Sequence, residues 1–219
     1  MLQLEFPDAA AGDAALVHEV LVGAPGPGRL TVRVEAAGIN FVDDMARRGV
    51  PGYATRWPWV GGLEVVGRVH ELGEGVAGPP PGTRVAAFGF GGGFADVAEF
   101  DPALVAEVPD EVDPLQAAAA PLTGVTALLL VAKAGPHDRV LMHSASGGVG
   151  AAVAAVLRGR GVTPAVGVVG RVASVEPARS AGWEEVVVRS EGWIDELLRT
   201  GRRFDLILDP VGAGIPEQL

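Results

Sequence analysis

The run HSASGGVGAAVAAVLRGRG at 143–161 carries the residue types and spacing best suited to chemistry. An apolar run, RVLMHSA (139–145), leads into it, and an Ala/Val-rich helical pattern follows. A turn between a strand and a helix leaves backbone N–H groups unpaired and partly positive, where an anion can sit. Gly147 and Gly148 leave the approach open, and Gly150 lets the helix lie close to the strand. Against the dinucleotide pattern G-x-G-x-x-G, Ala145 stands in place of the first glycine. Two readings fit: a cradle for a pyrophosphate, or a tight strand-to-helix turn that holds no ligand. The strand before, the helix after and a second strand–helix unit favour the cradle.

The second signal is an absence of acids. A bare ribose 2′-OH is usually held by Asp or Glu about 20 residues past the turn. Here no Asp or Glu lies between Asp138 and Glu176, and Arg171 follows the second strand instead. A cation there suits a 2′-phosphate, so NADPH is the expected cofactor. The alternative is a solvated arginine at a strand end.

These residues need elements to position them. Before about residue 110, short runs alternate Val, Ile or Phe with polar residues, as in RLTVRVEAAGIN (29–40), EVVGRVHELGEG (64–75), TRVAAFGFGGG (83–93) and FADVAEFDPALVAEVP (94–109). Gly and Pro clusters bound them, which predicts a compact β barrel or sandwich. Only DDMARRG (43–49) reads as helix in this half. After residue 110 the period changes. A helical stretch spans 113–135, with Asp113 as N-cap, Pro114 at its first position and a break at Pro121. Strands at 139–143, 165–169, 185–188 and 204–208 then alternate with helices at 147–161, 174–181 and 191–200. Such alternation predicts βαβ units and a parallel sheet. The expected class is α/β with a β-rich N-terminal domain (residues 1–115), followed by a partial doubly wound domain (residues 116–219).

Composition narrows the function. The chain has 219 residues, of which 48% are hydrophobic and 20% charged, so it can build a core and is not a disordered segment. Its net charge of −10 disfavours a nucleic-acid partner. There is no cysteine, which excludes disulfides, thiolate metal sites and cysteine nucleophiles. His18, His70, His137 and His143 are scattered without ligand spacing, so no metal site is expected. No run reaches the roughly 18 apolar residues of a membrane span, and the N-terminus does not read as a secretory signal. A cytoplasmic location with no membrane partner is the expectation.

The order AAGINFVDDMARRG, GGLEVVGRV, GTRVAAF, GGGFADVAEF, PLTGVTALLLV, HSASGGVG and FDLILDPVG resembles the medium-chain dehydrogenase/reductase superfamily. The resemblance covers nearly the whole chain. Within that superfamily it is closest to the zinc-free branch of quinone oxidoreductases and polyketide enoyl reductases. It implies a GroES-like barrel, then a Rossmann domain, with the active site between them. Leu63-Glu64 stands where zinc members carry a His-Glu pair, in keeping with the zinc-free branch.

The resemblance also implies roles. Asn40 matches an asparagine beside the nicotinamide and the substrate carbonyl, where an amide donates to a developing enolate oxygen; the other reading is a turn residue after a strand. Asp43 matches an acidic position read as a structural cap, and Glu64 a structural position near the barrel core. Thr126 matches a threonine near the carboxamide, or is a helix threonine bonded to its own backbone. Ser146, Gly147, Gly148 and Val149 match the pyrophosphate turn. Gly170, Arg171 and Ser174 match the adenosine-phosphate end, and Val211 and Gly212 the loop beside the nicotinamide ribose.

Two departures from the family pattern stand out. Met45 occupies a position where many quinone-reductase-like members carry tyrosine. Tyr53, the only tyrosine, is the substitute catalytic candidate; the alternatives are packing with Trp57 and Trp59, and proton donation from water. A complete dinucleotide fold has six strands, whereas four are expected here. Either the chain is a fragment, or a homodimer or another partner supplies the missing C-terminal segment. The expected function is NADPH-dependent hydride delivery to an activated alkene (an enoyl thioester) or a quinone. The alternative is a degenerate, non-catalytic member acting as a cofactor-binding or assembly module.

Overall fold

The computed structural model describes residues 1–8, 15–53, 56–163 and 165–212. It divides into two compact units, Met1–Leu122 and Thr123–Leu219.

The first unit is built on a five-stranded antiparallel sheet of β3 (Leu30–Gly38), β5 (Glu64–Leu72), β6 (Arg84–Phe88), β7 (Val97–Phe100) and β8 (Val105–Glu107), in the order β7-β3-β5-β6-β8. Alternation drives its burial: Leu30, Val32, Val65, Val85, Ala87 and Phe100 turn inward to one core. A smaller antiparallel sheet, β2-β1-β4, comprises β1 (Leu2–Phe6), β2 (Leu16–Glu19) and β4 (Trp59–Val60). Backbone bonds from Leu4 N to Phe94 O and from Asp96 N to Leu2 O, each near 2.8–2.9 Å, join the segment before β7 to β1. The sequence patterns did not single out β1, which is mostly half-buried, or β2, which is mostly exposed, and neither has a clean two-residue period.

Helix α1 (Phe41–Arg47) follows β3 directly, two residues earlier than the DDMARRG pattern predicts. The stretch at 113–135 is two helices, α2 (Pro114–Ala118) and α3 (Pro121–Leu130). Proline explains the division, since Pro121 has no N–H to continue α2 and instead opens α3. Asp113 caps α2, its Oδ1 accepting from Leu115 N at 2.9 Å and Gln116 N at 3.0 Å. Ala117 and Ala118 pack on Val66 of β5, so α2 belongs with the sheet of the first unit.

The second unit is a four-stranded parallel sheet of β9 (Val140–His143), β10 (Val166–Val169), β11 (Glu185–Val188) and β12 (Leu206–Leu208), in the order β11-β10-β9-β12. Helices α4 (Gly148–Gly159), α5 (Val175–Ala181) and α6 (Trp193–Arg199) connect the strands. Every residue of β9 and β10 is buried, as a parallel sheet covered on both faces requires. Val140 and Met142 face the core shared with α4 and α5, where Leu157 and Trp183 are buried. Leu141 and Val168 face the opposite core, with Trp193 and Leu197 of α6. A GroES-like domain followed by a Rossmann-type domain is thus the observed fold class.

Candidate functional site

In the first unit a polar cluster forms where β3 ends and α1 begins. Asn40 is the N-cap of α1, in extended conformation. Its backbone N–H donates to Asp43 Oδ2 at 2.8 Å, and the other oxygen of Asp43 accepts from Gly62 N at 3.1 Å. Asp43 therefore caps the helix and ties it to the β4–β5 turn. The Asn40 side-chain amide donates through Nδ2 to Glu64 Oε1 at 2.7 Å. Glu64 is 1% exposed, and its second oxygen accepts from Leu122 N, in the first turn of α3, at 2.8 Å. A carboxylate at that point also meets the positive end of the helix.

Burial pushes the carboxyls of Glu64 and Asp43 above their ordinary range. For Glu64 the amides of Leu122 and Asn40 oppose that rise and the nearby Asp43 carboxylate adds to it; for Asp43 the amides of Asn40 and Gly62 oppose it. Gly38 makes room for this arrangement. A Cβ there would lie 2.3 Å from Glu64 Oε1, so any side chain at 38 would displace the carboxylate that orients Asn40.

Tyr53 is 44% exposed, in the turn after α1. No ring contact or side-chain hydrogen bond joins it to Asn40, Trp57 or Trp59 among the described residues. Trp59 instead stacks on Phe6 at 5.8 Å between centroids and meets Trp57 edge-on at 6.5 Å. The first unit also holds an apolar cavity of about 670 Å³, lined by Leu2, Leu4, Phe6, Val17, Phe94 and Ile39, the residue before Asn40. The cavity's wall comes from β1, β2 and Phe94, which converge only through the small sheet.

In the second unit the glycine turn lies between β9 and α4. Gly147 is the N-cap of α4, and no side chain caps that end. Ser146 and Val149 flank Gly147 and Gly148, and among the described residues no side chain caps the first-turn amides of this 12-residue helix. Gly150 is buried, and a Cβ on it would lie 2.6 Å from Ser144 O. The missing first glycine has a steric counterpart. Ala145 is 0% exposed, and a Cβ on Gly167 of β10 would come 2.7 Å from its methyl. The space the motif normally frees at 145 is freed at 167 instead, one strand away. Trp183 closes this corner, its Nε1 donating to Gly150 O at 3.3 Å.

Gly170 and Arg171 follow β10. Arg171 is exposed, and its Nε donates to Ser174 Oγ at 3.2 Å. Val211 and Gly212 follow β12, where their N–H groups donate to Asp209 Oδ1 at 2.9 and 3.0 Å. Thr126 sits in the middle of α3. The candidate residues thus fall into two groups: Asn40, Asp43 and Glu64 bonded together in one unit, and the loops after β9, β10 and β12 at one edge of the parallel sheet in the other. Among the described residues no group of three or more His, Cys, Asp or Glu is placed to hold a metal ion. Likewise, no helix is long and apolar enough to cross a membrane.

This pairing of a GroES-like sheet unit with a βαβ unit carrying an uncapped glycine turn defines a class: the chain belongs to the medium-chain dehydrogenase/reductase superfamily. Residues 26–110 match the alcohol dehydrogenase GroES-like domain. The chain is similar to a phenolphthiocerol/phthiocerol polyketide synthase of Mycobacterium tuberculosis, with 40% identity over 164 residues, covering 72% of the chain and 7% of that protein. It is similar to the 2-haloacrylate reductase of a Burkholderia species, with 32% identity over 206 residues, covering 89% of the chain and 62% of the reductase. It superposes on the Escherichia coli quinone oxidoreductase complexed with NADPH with a TM-score of 0.89 at 27% identity, covering all of the chain and 68% of that one. The chain spans less than two thirds of the length of either curated relative.

Proposed function

We propose that the chain is the cofactor- and substrate-binding portion of an NADPH-dependent reductase acting on an activated alkene, such as an enoyl thioester, or on a quinone. One observation carries the reading. The first-turn amides of α4, which no side chain caps among the described residues, follow β9 at the carboxyl edge of a parallel sheet, which is where such sheets bind dinucleotides. The fit is steric as well as electrostatic: a Cβ built on Gly170 or Gly212 would meet no atom within 4 Å among the described residues. In this reading Ser146, Gly147, Gly148 and Val149 hold the pyrophosphate. Gly170, Arg171 and Ser174 hold the adenosine 2′-phosphate, while Thr126, Val211 and Gly212 lie along the nicotinamide half. The reduced nicotinamide, when bound, supplies the hydride.

The chain's own residues then orient and polarise. One Asn40 amide hydrogen is committed to Glu64, which fixes the plane of the amide. The other hydrogen is free to donate to a substrate carbonyl oxygen as negative charge develops there. Because Glu64 is itself held by the Leu122 amide, the donor is set before substrate arrives. The apolar cavity beside Ile39 suits an acyl chain or a quinone ring. Tyr53 or water delivers the balancing proton.

Titration of the chain with NADPH, followed by cofactor fluorescence, tests the reading. Saturable binding with oxidation of NADPH by crotonyl thioester or a quinone supports it. Binding without turnover by any electron-poor alkene or quinone favours a cofactor-binding module instead. No binding at high micromolar NADPH removes the reading for this chain.

A further inference from the structure

Three large aliphatic side chains of the first unit stand in water around one concavity. Leu2, Val17 and Ile39 are 51, 66 and 86% exposed, and all three line the cavity of about 670 Å³. That volume lies within the roughly 300–1,000 Å³ of small-molecule sites. Exposed apolar groups gathered at a concave surface are a binding feature rather than a packing one. The floor is fixed before any ligand arrives. Phe6 is buried and stacks on Trp59. Phe94 is seated by two glycines: a Cβ on Gly61 would lie 2.8 Å from its Cδ2, and one on Gly62 2.6 Å from its Cδ1.

The lining names the occupant. Alternation along β1 turns Leu2, Leu4 and Phe6 to this cavity, while Gln3 also borders a smaller one beside Thr31 and Glu99. The backbone between the walls is closed by the bonds from Leu4 N to Phe94 O and from Asp96 N to Leu2 O. The charged side chains at the cavity are engaged as well. Asp96 Oδ2 accepts from Leu2 N at 2.7 Å, and Arg47 pairs with Asp44 of its own helix. A quinone carries carbonyl oxygens on both sides of its ring. In this cavity at least one of them would lose water without gaining a donor. A saturated chain has no such group to satisfy.

We propose that this cavity is a site for an unbranched aliphatic chain and discriminates against a quinone ring. The site rests on the first unit alone. That the chain is the acyl tail of the substrate rests on the proposed function, through the adjacency of the wall residue Ile39 to the donor Asn40. Each methylene that enters is withdrawn from water, so affinity rises about two- to fourfold per carbon.

Calorimetry on the whole chain with 1-hexanol, 1-octanol and 1-decanol, set beside 1,4-naphthoquinone, tests the site. The alcohols are uncharged, so Arg47 and Asp96 do not bias the series. Affinity should climb about fourfold or more with each two-carbon step, and naphthoquinone, equal to decanol in carbon count, should bind about tenfold more weakly. Val17→Trp fills the cavity from its exposed wall and should cut decanol affinity about tenfold or more. Ile39→Ser, at a still more exposed position, should flatten the series, and thermal unfolding of both variants checks that the fold is kept. Affinity independent of chain length, naphthoquinone bound as tightly as decanol, or both variants binding decanol like wild type would each overturn the site. A chain that binds no alcohol and forms a dimer that Val17→Ser dissociates would make the wall an interface between copies instead. NADPH oxidation by crotonyl and trans-2-decenoyl N-acetylcysteamine thioesters reads the source of the chain. A higher kcat/KM for the decenoyl thioester, narrowed by Ile39→Ser, assigns the chain to the substrate. Equal values with decanol still bound overturn that assignment and keep the site. Graded alcohol binding without any NADPH oxidation fails the proposed function alone.

Discussion

The two units treat their polar groups in opposite ways. Around Asn40 every carboxylate is already bonded. Asp43 takes two backbone amides, and Glu64 takes the Asn40 amide and the Leu122 amide. At the carboxyl edge of the parallel sheet no side chain caps α4, and Arg189 Nε is buried with no hydrogen-bond partner among the described residues. The first arrangement aims a donor, because a buried and satisfied network holds one geometry. The second leaves electrostatic capacity unspent, which is what the proposed anionic ligand would use.

Substitutions can break this contrast, and the largest effect belongs to the open edge. Gly148→Val puts a branched side chain over the amides, where even a bare Cβ would lie 3.2 Å from Thr123 Cγ2. NADPH affinity should fall about 100-fold or more, the scale of losing charge-assisted hydrogen bonds. Unchanged affinity in a fluorescence titration would show that the turn holds no phosphate. On the closed side, Asn40→Ala removes the aimed donor. The turnover rate should drop by about 100-fold while the dissociation constant for NADPH stays put. A loss confined to cofactor binding would move Asn40 out of the chemistry.

Glu64→Ala tests whether the network is structural as well. It leaves the Leu122 and Asn40 amides without their acceptor and opens a small void. Unfolding free energy should fall by about 2–4 kcal/mol in denaturant titration. A wild-type midpoint would mean that solvent replaces the carboxylate at no cost. Arg171→Ala is milder: NADPH binding should weaken about tenfold and NADH binding hardly at all. Equal weakening of both cofactors would take the 2′-phosphate away from Arg171.

The smallest expected effect is a pH dependence. The folded carboxyl of Glu64 titrates above its unfolded value, because burial disfavours its charge. The folded state then binds more protons than the unfolded one, so this group's contribution to stability rises as pH falls from neutral toward the ordinary carboxylate range. Glu64→Gln cannot titrate. The stability of wild type relative to that variant should therefore increase as pH is lowered from 7 across that window, and a flat difference would mean that burial does not perturb the group.

Much of the second unit was legible in the chain. The strand at 185–188 falls where its pattern placed it, and those at 139–143, 165–169 and 204–208 differ by only one or two residues at their starts. Continuous apolar runs between glycines leave a parallel strand few alternatives. The barrel unit was harder. β1 is half-buried and β2 mostly exposed, and β1 also pairs with β4 far along the chain, so their local pattern is faint. Asp43 caps α1, as the family resemblance implied. The bond from Asn40 to Glu64 spans 24 residues, and no local rule signals it.

The sequence by itself determined the order of elements, the glycine turn and the lack of acids after it. Each of these depends on neighbours a few residues apart, through backbone stereochemistry and the helix and strand periods. Only the tertiary structure decided which distant residues meet. Glu64 beneath Asn40, Gly167 opposite Ala145 and His143 against Arg189 are all juxtapositions across strands. Their energies come from desolvation and close packing, which no single segment possesses until the sheet brings its partner alongside.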